Sequence, residues 1–137
     1  MELQTAEFRS DIYAEFLEEK KRFTKKYRIY GTNLDKRTKK LNKLYKKVAI
    51  SLDLDKIEKA KNFMIEYKKE ILKLLKIHND MVEEIIYSRY FLLLAKIENK
   101  QKADIKKRKF LKKIRTAIKV HKEELQFITK TLKKFNT

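Results

Sequence analysis

The stretch KKRKFLKKIRTAIKV, residues 106–120, carries side chains that can bind phosphate. More than half of its residues are Lys or Arg, and apolar residues such as Phe110, Leu111 and Ile114 lie between them. Ammonium and guanidinium groups form charge-assisted hydrogen bonds with phosphate oxygens whatever the base sequence. On a helical wheel the apolar residues share one side and the basic residues the other. The stretch therefore predicts a helix with a core face and a basic face, and leaves open what the basic face contacts.

Positive charge is concentrated in two segments of the chain. The whole chain carries 37 Lys and Arg against 19 Asp and Glu, for a formal net charge of +18. Residues 20–47 sum to +12 and residues 99–137 to +11, whereas residues 1–19 sum to −5 and residues 48–98 are neutral. Charge of one sign at this density repels itself unless a polyanion neutralises it. The segregation favours a polyanion ligand, above all nucleic acid, over a Lys-rich surface that serves only solubility.

Three basic stretches, residues 20–28, 36–47 and 106–122, are the candidate phosphate-binding site. The residues expected to contact phosphates are Lys20, Lys21, Arg22, Lys25, Lys26, Arg28, Lys36, Arg37, Lys39, Lys40, Lys106, Arg108, Lys109, Lys112, Arg115, Lys119 and Lys122. Phe23, Tyr27 and Tyr30 lie among the first of these bases. They could stack on unpaired nucleotides, or, because they recur at steps of four and three, belong to the core.

The sequence contains no pattern typical of catalysis or of cofactor binding. A single glycine rules out a Gly-rich phosphate loop, and the absence of cysteine rules out a thiol nucleophile, a thiolate metal site and a disulfide. No Ser/His/Asp set appears. We therefore expect a protein that is not an enzyme and that takes no cofactor and no metal.

No targeting or membrane-spanning segment is expected. The start of the chain is acidic and lacks the apolar region of a signal peptide, and the most apolar window, residues 85–95, is too short to cross a bilayer. We expect a cytoplasmic location, or a place inside a virion.

The absence of proline, together with the single glycine, predicts an all-α chain. Break signals occur at residues 30–35, where Gly31 could end a helix, at residues 51–57, where Asp53 could cap one, and at residues 98–104. They divide a single domain, residues 1–137, into helices at about 3–30, 34–50, 54–98 and 104–135.

Apolar residues follow a heptad pattern along residues 57–95 and again along residues 111–135. If the chain folds back at residues 99–100, the two patterns match and His78 lies opposite His121. Such a pair could fix the register of two helices, or form a pH switch or half of a metal site. The pattern predicts an elongated antiparallel helical bundle with coiled-coil-like hairpins. A second hairpin near residue 32 would bring Phe23 close to Leu41, and residues 85–95 would lie inside the bundle.

These features predict a non-enzymatic, sequence-independent nucleic-acid-binding protein with an architectural or packaging role, for example a viral structural protein. The alternative is a helical protein-interaction module, such as an adaptor, an inhibitor or an assembly subunit, that docks on an acidic protein partner. The acidic residues 2–19 could also pair with the basic face of a second copy and build a homo-oligomer.

Overall fold

Helices make up almost all of the described chain. The computed structural model describes the backbone of residues 2–136 and the side chains of residues 11–136. Over that range the helices are α1 (Glu2–Asp53), α2 (Ile57–Tyr87), α3 (Arg89–Ile97) and α4 (Lys100–Asn136), and no strand is present. Because only Ser88 separates α2 from α3, the two form one bent helix between α1 and α4. The predicted all-α class is confirmed.

Gly31 lies in the middle of α1 and does not end a helix. Its φ is not positive, and the Thr32 hydroxyl donates to the Arg28 carbonyl, 3.1 Å away, inside the helix. The predicted break at residues 30–35, and with it the separate helices 3–30 and 34–50, is wrong. One glycine costs a helix only about 1 kcal/mol, whereas buried residues on both sides of it hold α1 against the rest of the chain: Phe16, Phe23, Leu41 and Leu44.

The second predicted hairpin is wrong for the same reason. Phe23 and Leu41 belong to one continuous stretch of α1. Eighteen residues of helix separate them by about 27 Å, so they cannot meet. Phe23 instead stacks on Tyr90 of α3, with ring centroids 5.2 Å apart.

The predicted break at residues 51–57 is confirmed, although its details differ. α1 ends at Asp53, and α2 begins at Ile57 after a turn in which Asp55 has a positive φ of 55°. Asp is one of the few residue types that enter this left-handed region readily. Asp53 therefore ends α1 and does not cap α2, whose N-cap is Lys56 without a side-chain hydrogen bond.

Ser88 interrupts the predicted helix 54–98. Its backbone is extended, with φ −68° and ψ 128°, and its hydroxyl accepts a hydrogen bond of 3.2 Å from the Tyr90 amide, as an N-cap residue does. The heptad pattern holds from Ala60 to Ile85 and then changes phase, so that Leu92 is 67% exposed. Residues 85–95 are thus largely buried but not on all sides. The residues of α3 that enter the core are Tyr90, Phe91, Leu93 and Leu94.

The fold point at residues 99–100 is confirmed. α3 ends at Ile97 and α4 begins at Lys100, four residues earlier than predicted. The side-chain oxygen of Asn99 accepts a hydrogen bond of 2.7 Å from the Lys102 amide. Asn99 thereby satisfies one of the free amides of the first turn of α4.

α2 packs against both α1 and α4, and contacts along each pair run in opposite order. The rings of His78 and His121 have centroids 5.2 Å apart, which confirms the predicted pairing of the two histidines. On the other side of α2, Lys26 pairs with Glu84 and Arg37 with Glu70. α2 therefore runs antiparallel to both neighbours. Its core residues Ala60, Met64, Ile71, Leu74 and Ile85 are almost fully buried.

Candidate nucleic-acid interface

The basic residues predicted on α4 lie on its exposed side and form what we call the α4 basic face. Its members are Lys106, Arg108, Lys109, Lys112, Arg115, Lys119 and Lys122, all exposed. Lys106 donates to the Tyr90 hydroxyl at 2.8 Å and lies 5.5 Å from the centroid of that ring. The other six form no ion pair with any side chain that the structure describes. Their charges are free to bind an external anion.

Two shallow depressions run along the α4 basic face. One, of about 660 Å³, lies on α4 itself between Ile105 and Lys119. The other, of about 640 Å³, lies where Tyr27 of α1 meets Phe110 of α4. Ile105 and Lys109 line both. The face is therefore a continuous, slightly concave surface with an apolar floor and basic rims.

On α1, the continuous helix places bases from two predicted segments in one line. The α1 outer row consists of exposed residues at helical steps of three and four, with Thr32 at the intermediate turn: Lys21, Lys25, Arg28, Lys36 and Lys39. This row spans about 27 Å at 1.5 Å per residue. Of the other predicted bases, Lys20 is exposed, Arg22 pairs with Glu19 at 3.0 Å, and Lys26 pairs with Glu84 at 3.2 Å.

A third surface, the α1–α2 basic groove, is concave and has a volume of about 560 Å³. α1 contributes the predicted bases Lys36, Arg37 and Lys40, and α2 contributes Lys73 and Lys76. Asn33, Ile77 and Asp80 complete its lining. It thus joins bases that lie more than thirty positions apart in the sequence.

Glu70 holds three of these bases in place. Its side chain is only 3% exposed and lies 3.2 Å from Arg37, 3.1 Å from Lys40 and 3.4 Å from Lys73. We call these four residues the Glu70 cluster. Burial raises the pKa of the Glu70 carboxyl, but hydrogen bonds from Lys40, Arg37 and Lys73 outweigh burial, so the pKa lies below its ordinary value. The cluster keeps an excess of positive charge at the groove.

Sequence reasoning missed Lys73 and Lys76, and also Lys102 and Lys113 beside Tyr27. The first two lie in residues 48–98, whose equal numbers of acidic and basic residues hide any local excess. A helical wheel of α2 could have found them, because Lys69, Lys73 and Lys76 recur at steps of four and three. No sequence signal marked Glu70 as buried.

The aromatic residues among the α1 bases pack inward. Phe23 is 6% exposed and contacts Phe91 and Phe110 with ring centroids 5.2 and 5.6 Å away. Tyr27 is half-buried against Phe110 at 5.1 Å, and burial raises its pKa. Tyr30 is half-buried as well, and burial raises its pKa too. Phe23 therefore belongs to the core and cannot stack on a nucleotide.

The rings of the two histidines lie against each other between α2 and α4. His78 Nδ1–H donates to the Leu74 carbonyl at 2.8 Å, and burial lowers the pKa of His78, with the neighbouring His121 acting in the same direction. His121 Nδ1 lies 3.6 Å from Glu124, whose carboxylate accepts a hydrogen bond of 3.3 Å from the Tyr67 hydroxyl. Burial, followed by Glu124, raises the pKa of Tyr67 to about 12. Among the described residues, no group of three or more His, Cys, Asp or Glu is placed to hold a metal ion.

Two further findings concern the chain as a whole. Within the described residues, none of the helices combines the length and the apolar character that crossing a membrane requires. In comparisons with known proteins, no family model matches the sequence, and neither a curated protein nor a solved structure matches it.

Proposed function

We propose that this protein binds nucleic acid without sequence preference, through backbone phosphates, and that it has an architectural or packaging role and no enzymatic activity. The observation that carries the proposal is the α4 basic face, where six exposed bases form no ion pair with any described side chain. Arg and Lys side chains in such a row supply salt-sensitive affinity for phosphates. They do not distinguish one nucleobase from another unless they reach into a groove of the nucleic acid. A cytoplasmic location or a place in a virion would suit this role.

The scaffold that we propose for this role is an elongated antiparallel helical bundle, with a coiled-coil-like seam between α2 and α4. Long helices present their bases at fixed spacing, which a flexible basic tail does not. Duplex DNA carries one phosphate per strand about every 3.4 Å along its axis. The α1 outer row, about 27 Å long, thus matches the length of about eight base-pair steps along the axis of the duplex.

Charge reversal on the α4 basic face tests the proposal. The variant Lys109→Glu/Lys112→Glu/Arg115→Glu/Lys119→Glu changes exposed residues that bind no described side chain. Fluorescence anisotropy across a salt series would measure binding to duplex DNA, single-stranded DNA and RNA. We expect the affinity of the variant at physiological salt to fall at least about tenfold for every sequence. The log–log salt slope on duplex DNA should flatten by about 0.9 for each phosphate that the variant no longer neutralises.

A matched control separates the surface from the net charge. The variant Lys56→Glu/Lys59→Glu/Lys69→Glu/Lys96→Glu changes four exposed lysines outside the proposed interface and alters the total charge equally. It should keep most of the affinity and most of the slope. If the affinity of both variants falls equally, only net charge matters and the proposed surface is wrong. If the α4 variant binds as well as the unmodified protein, the proposal fails.

The alternative proposal is a protein-interaction module that docks on an acidic protein partner. The α1–α2 basic groove favours it, because a concave site lined by five bases suits a cluster of carboxylates better than it suits a row of phosphates. The length of the nucleic acid discriminates between the two proposals. A phosphate-binding protein should bind longer strands more tightly, whereas an acidic-protein adaptor should bind all lengths of nucleic acid weakly and equally.

A further inference from the structure

An apolar groove lies at the end of the molecule where α1 ends and α2 begins. Its volume is about 500 Å³, and we call it the Phe127 groove. Tyr45 and Leu52 of α1 form one wall, Tyr67 of α2 lies at the base, and Glu123 and Phe127 of α4 form the other wall. The groove exists because α1 and α4 both pack against α2 and leave the space between them open at this end.

The walls of the groove expose large apolar side chains to water. Phe127 is 72% exposed and Tyr45 is 64% exposed, and both rings border the groove. Single exposed apolar residues are ordinary, but aromatic side chains gathered around a concave apolar surface are typical of an interface. The groove therefore suits a binding partner that inserts an apolar side chain into it.

The charge pattern of α4 at this place identifies the occupant as a second copy of the chain. Between Lys122 and Lys130 α4 carries no basic residue and two acidic ones, in a helix that is otherwise strongly basic. Repulsion between two α4 helices is therefore smaller here than elsewhere along their length. The carboxylates of Glu123 and Glu124 would repel an acidic partner, so the groove does not suit the partner of the alternative proposal.

The exposed face of α4 is also complementary to itself. Glu123 and Lys130 are exposed, bind no described side chain, and lie three or four residues on either side of Phe127. If two α4 helices cross antiparallel at Phe127, Glu123 of each copy lies opposite the partner subunit's Lys130. A parallel arrangement would place like charges opposite each other. Two-fold symmetric pairing of the same surface is the commonest form of homodimer.

We infer that the Phe127 groove is a self-association surface, in which two copies pair α4 antiparallel and each inserts Phe127 toward the groove of the other. Four side chains carry this inference: Tyr45, Glu123, Phe127 and Lys130. It does not depend on nucleic-acid binding, because none of these four side chains belongs to the α4 basic face.

Sedimentation equilibrium of the full chain, free of nucleic acid and in about 0.3 M salt to shorten the range of repulsion, tests the inference. We expect a monomer–dimer equilibrium of the 16.7 kDa chain. Phe127→Ala should weaken the dimer at least tenfold while circular dichroism shows an unchanged helix content, since Phe127 is largely exposed. Tyr87→Ala, which removes an 83% exposed ring outside the groove, is the matched control and should dimerise normally.

A charge swap tests the antiparallel register. Glu123→Lys alone and Lys130→Glu alone should each weaken the dimer, because each places like charges opposite each other. The double variant Glu123→Lys/Lys130→Glu should restore it. A dissociation constant of about 1 mM already corresponds to a weak association. A chain that stays monomeric at every concentration up to about 1 mM would therefore overturn the inference. A dimer that is indifferent to Phe127→Ala, or a double variant without recovery, would overturn it as well.

Discussion

Glu70 is the residue on which the α1–α2 basic groove depends most. Its carboxylate is almost completely buried, yet it meets three cations whose side chains are one-third to more than one-half exposed. A buried carboxylate is stable only when such partners compensate for the loss of water. The cations are thereby fixed in position, which reduces the entropy that they would lose on binding an external anion.

Replacing Glu70 by Gln should destabilise the fold by about 1.5–3 kcal/mol, the range for hydrogen bonds to charged groups. The amide keeps the shape but leaves Arg37, Lys40 and Lys73 to repel one another. Partial exposure of these cations limits the loss, because water can solvate them. Urea denaturation at pH 7 measures the difference. Glu66→Gln, at an exposed position one turn earlier on α2, is the control and should change stability by less than about 0.5 kcal/mol.

The effect of Glu70 should depend on pH in one direction. Because the pKa of the folded state lies below the ordinary 4.5, the carboxylate stabilises the fold fully above that value and loses its contribution as the pH falls through the lowered pKa. The difference between Glu70→Gln and the unmodified protein should therefore be large at pH 7 and shrink as the pH falls below 4.5. Equal stability of the two proteins at pH 7 would show that water compensates the three cations as well as Glu70 does.

At the scale of the elements, α1 is the most informative helix because it continues through Gly31. A Cβ added at Gly31 would meet no atom within 4 Å. Gly31→Ala should therefore stabilise the protein by about 0.5–1 kcal/mol, through lower backbone entropy in the unfolded chain. Thermal denaturation followed by circular dichroism measures it. Gly31→Pro is the opposing control and should cost about 3 kcal/mol or more. If Ala destabilised the protein, Gly31 would need a conformation that an α-helix does not provide.

The helix boundaries show what local sequence can and cannot predict. The break at residues 98–104 was predictable because polar side chains interrupt the apolar pattern there, and the break at residues 51–57 because Ser and Asp are residue types that favour caps and turns. The break predicted at Gly31 does not occur, because the free-energy cost of one glycine is small compared with the packing energy of a 52-residue helix. Ser88 was hidden because it fits the heptad pattern, and its capping role depends on the tertiary contacts of Tyr90.

In the candidate site, too, features set by local sequence were predictable and features set by tertiary contacts were not. Exposure of the predicted bases on α4 was predictable, because helical periodicity alone separates them from the core face. The proximity of Lys40 to Lys73 was not predictable, because it depends on how α1 packs against α2. The heptad patterns did predict the contact of His78 with His121. Once the chain folds back at residues 99–100, the two patterns alone determine which residues face each other.

For the whole molecule, the formal charge of +18 acts against folding as well as for polyanion binding. The two basic segments lie on the outer sides of α1 and α4, and the ion pairs that the structure describes engage few of their bases. The Debye length falls from about 30 Å at 0.01 M salt to about 8 Å at 0.15 M. Added salt should therefore relieve repulsion between the segments more than it weakens close pairs such as those at Glu70.

The midpoint of thermal unfolding should accordingly rise by about 3–8 °C between these two salt concentrations, as expected for about 1–2 kcal/mol in a chain of this size. Circular dichroism at low protein concentration measures it. Neutralising Lys109, Lys112, Arg115 and Lys119 with Gln should reduce the rise. Glu18→Gln removes an exposed acidic residue that binds no described side chain, so it should enlarge the rise. A midpoint that falls with salt would mean that close ion pairs dominate the electrostatic energy and that the net charge costs the fold little.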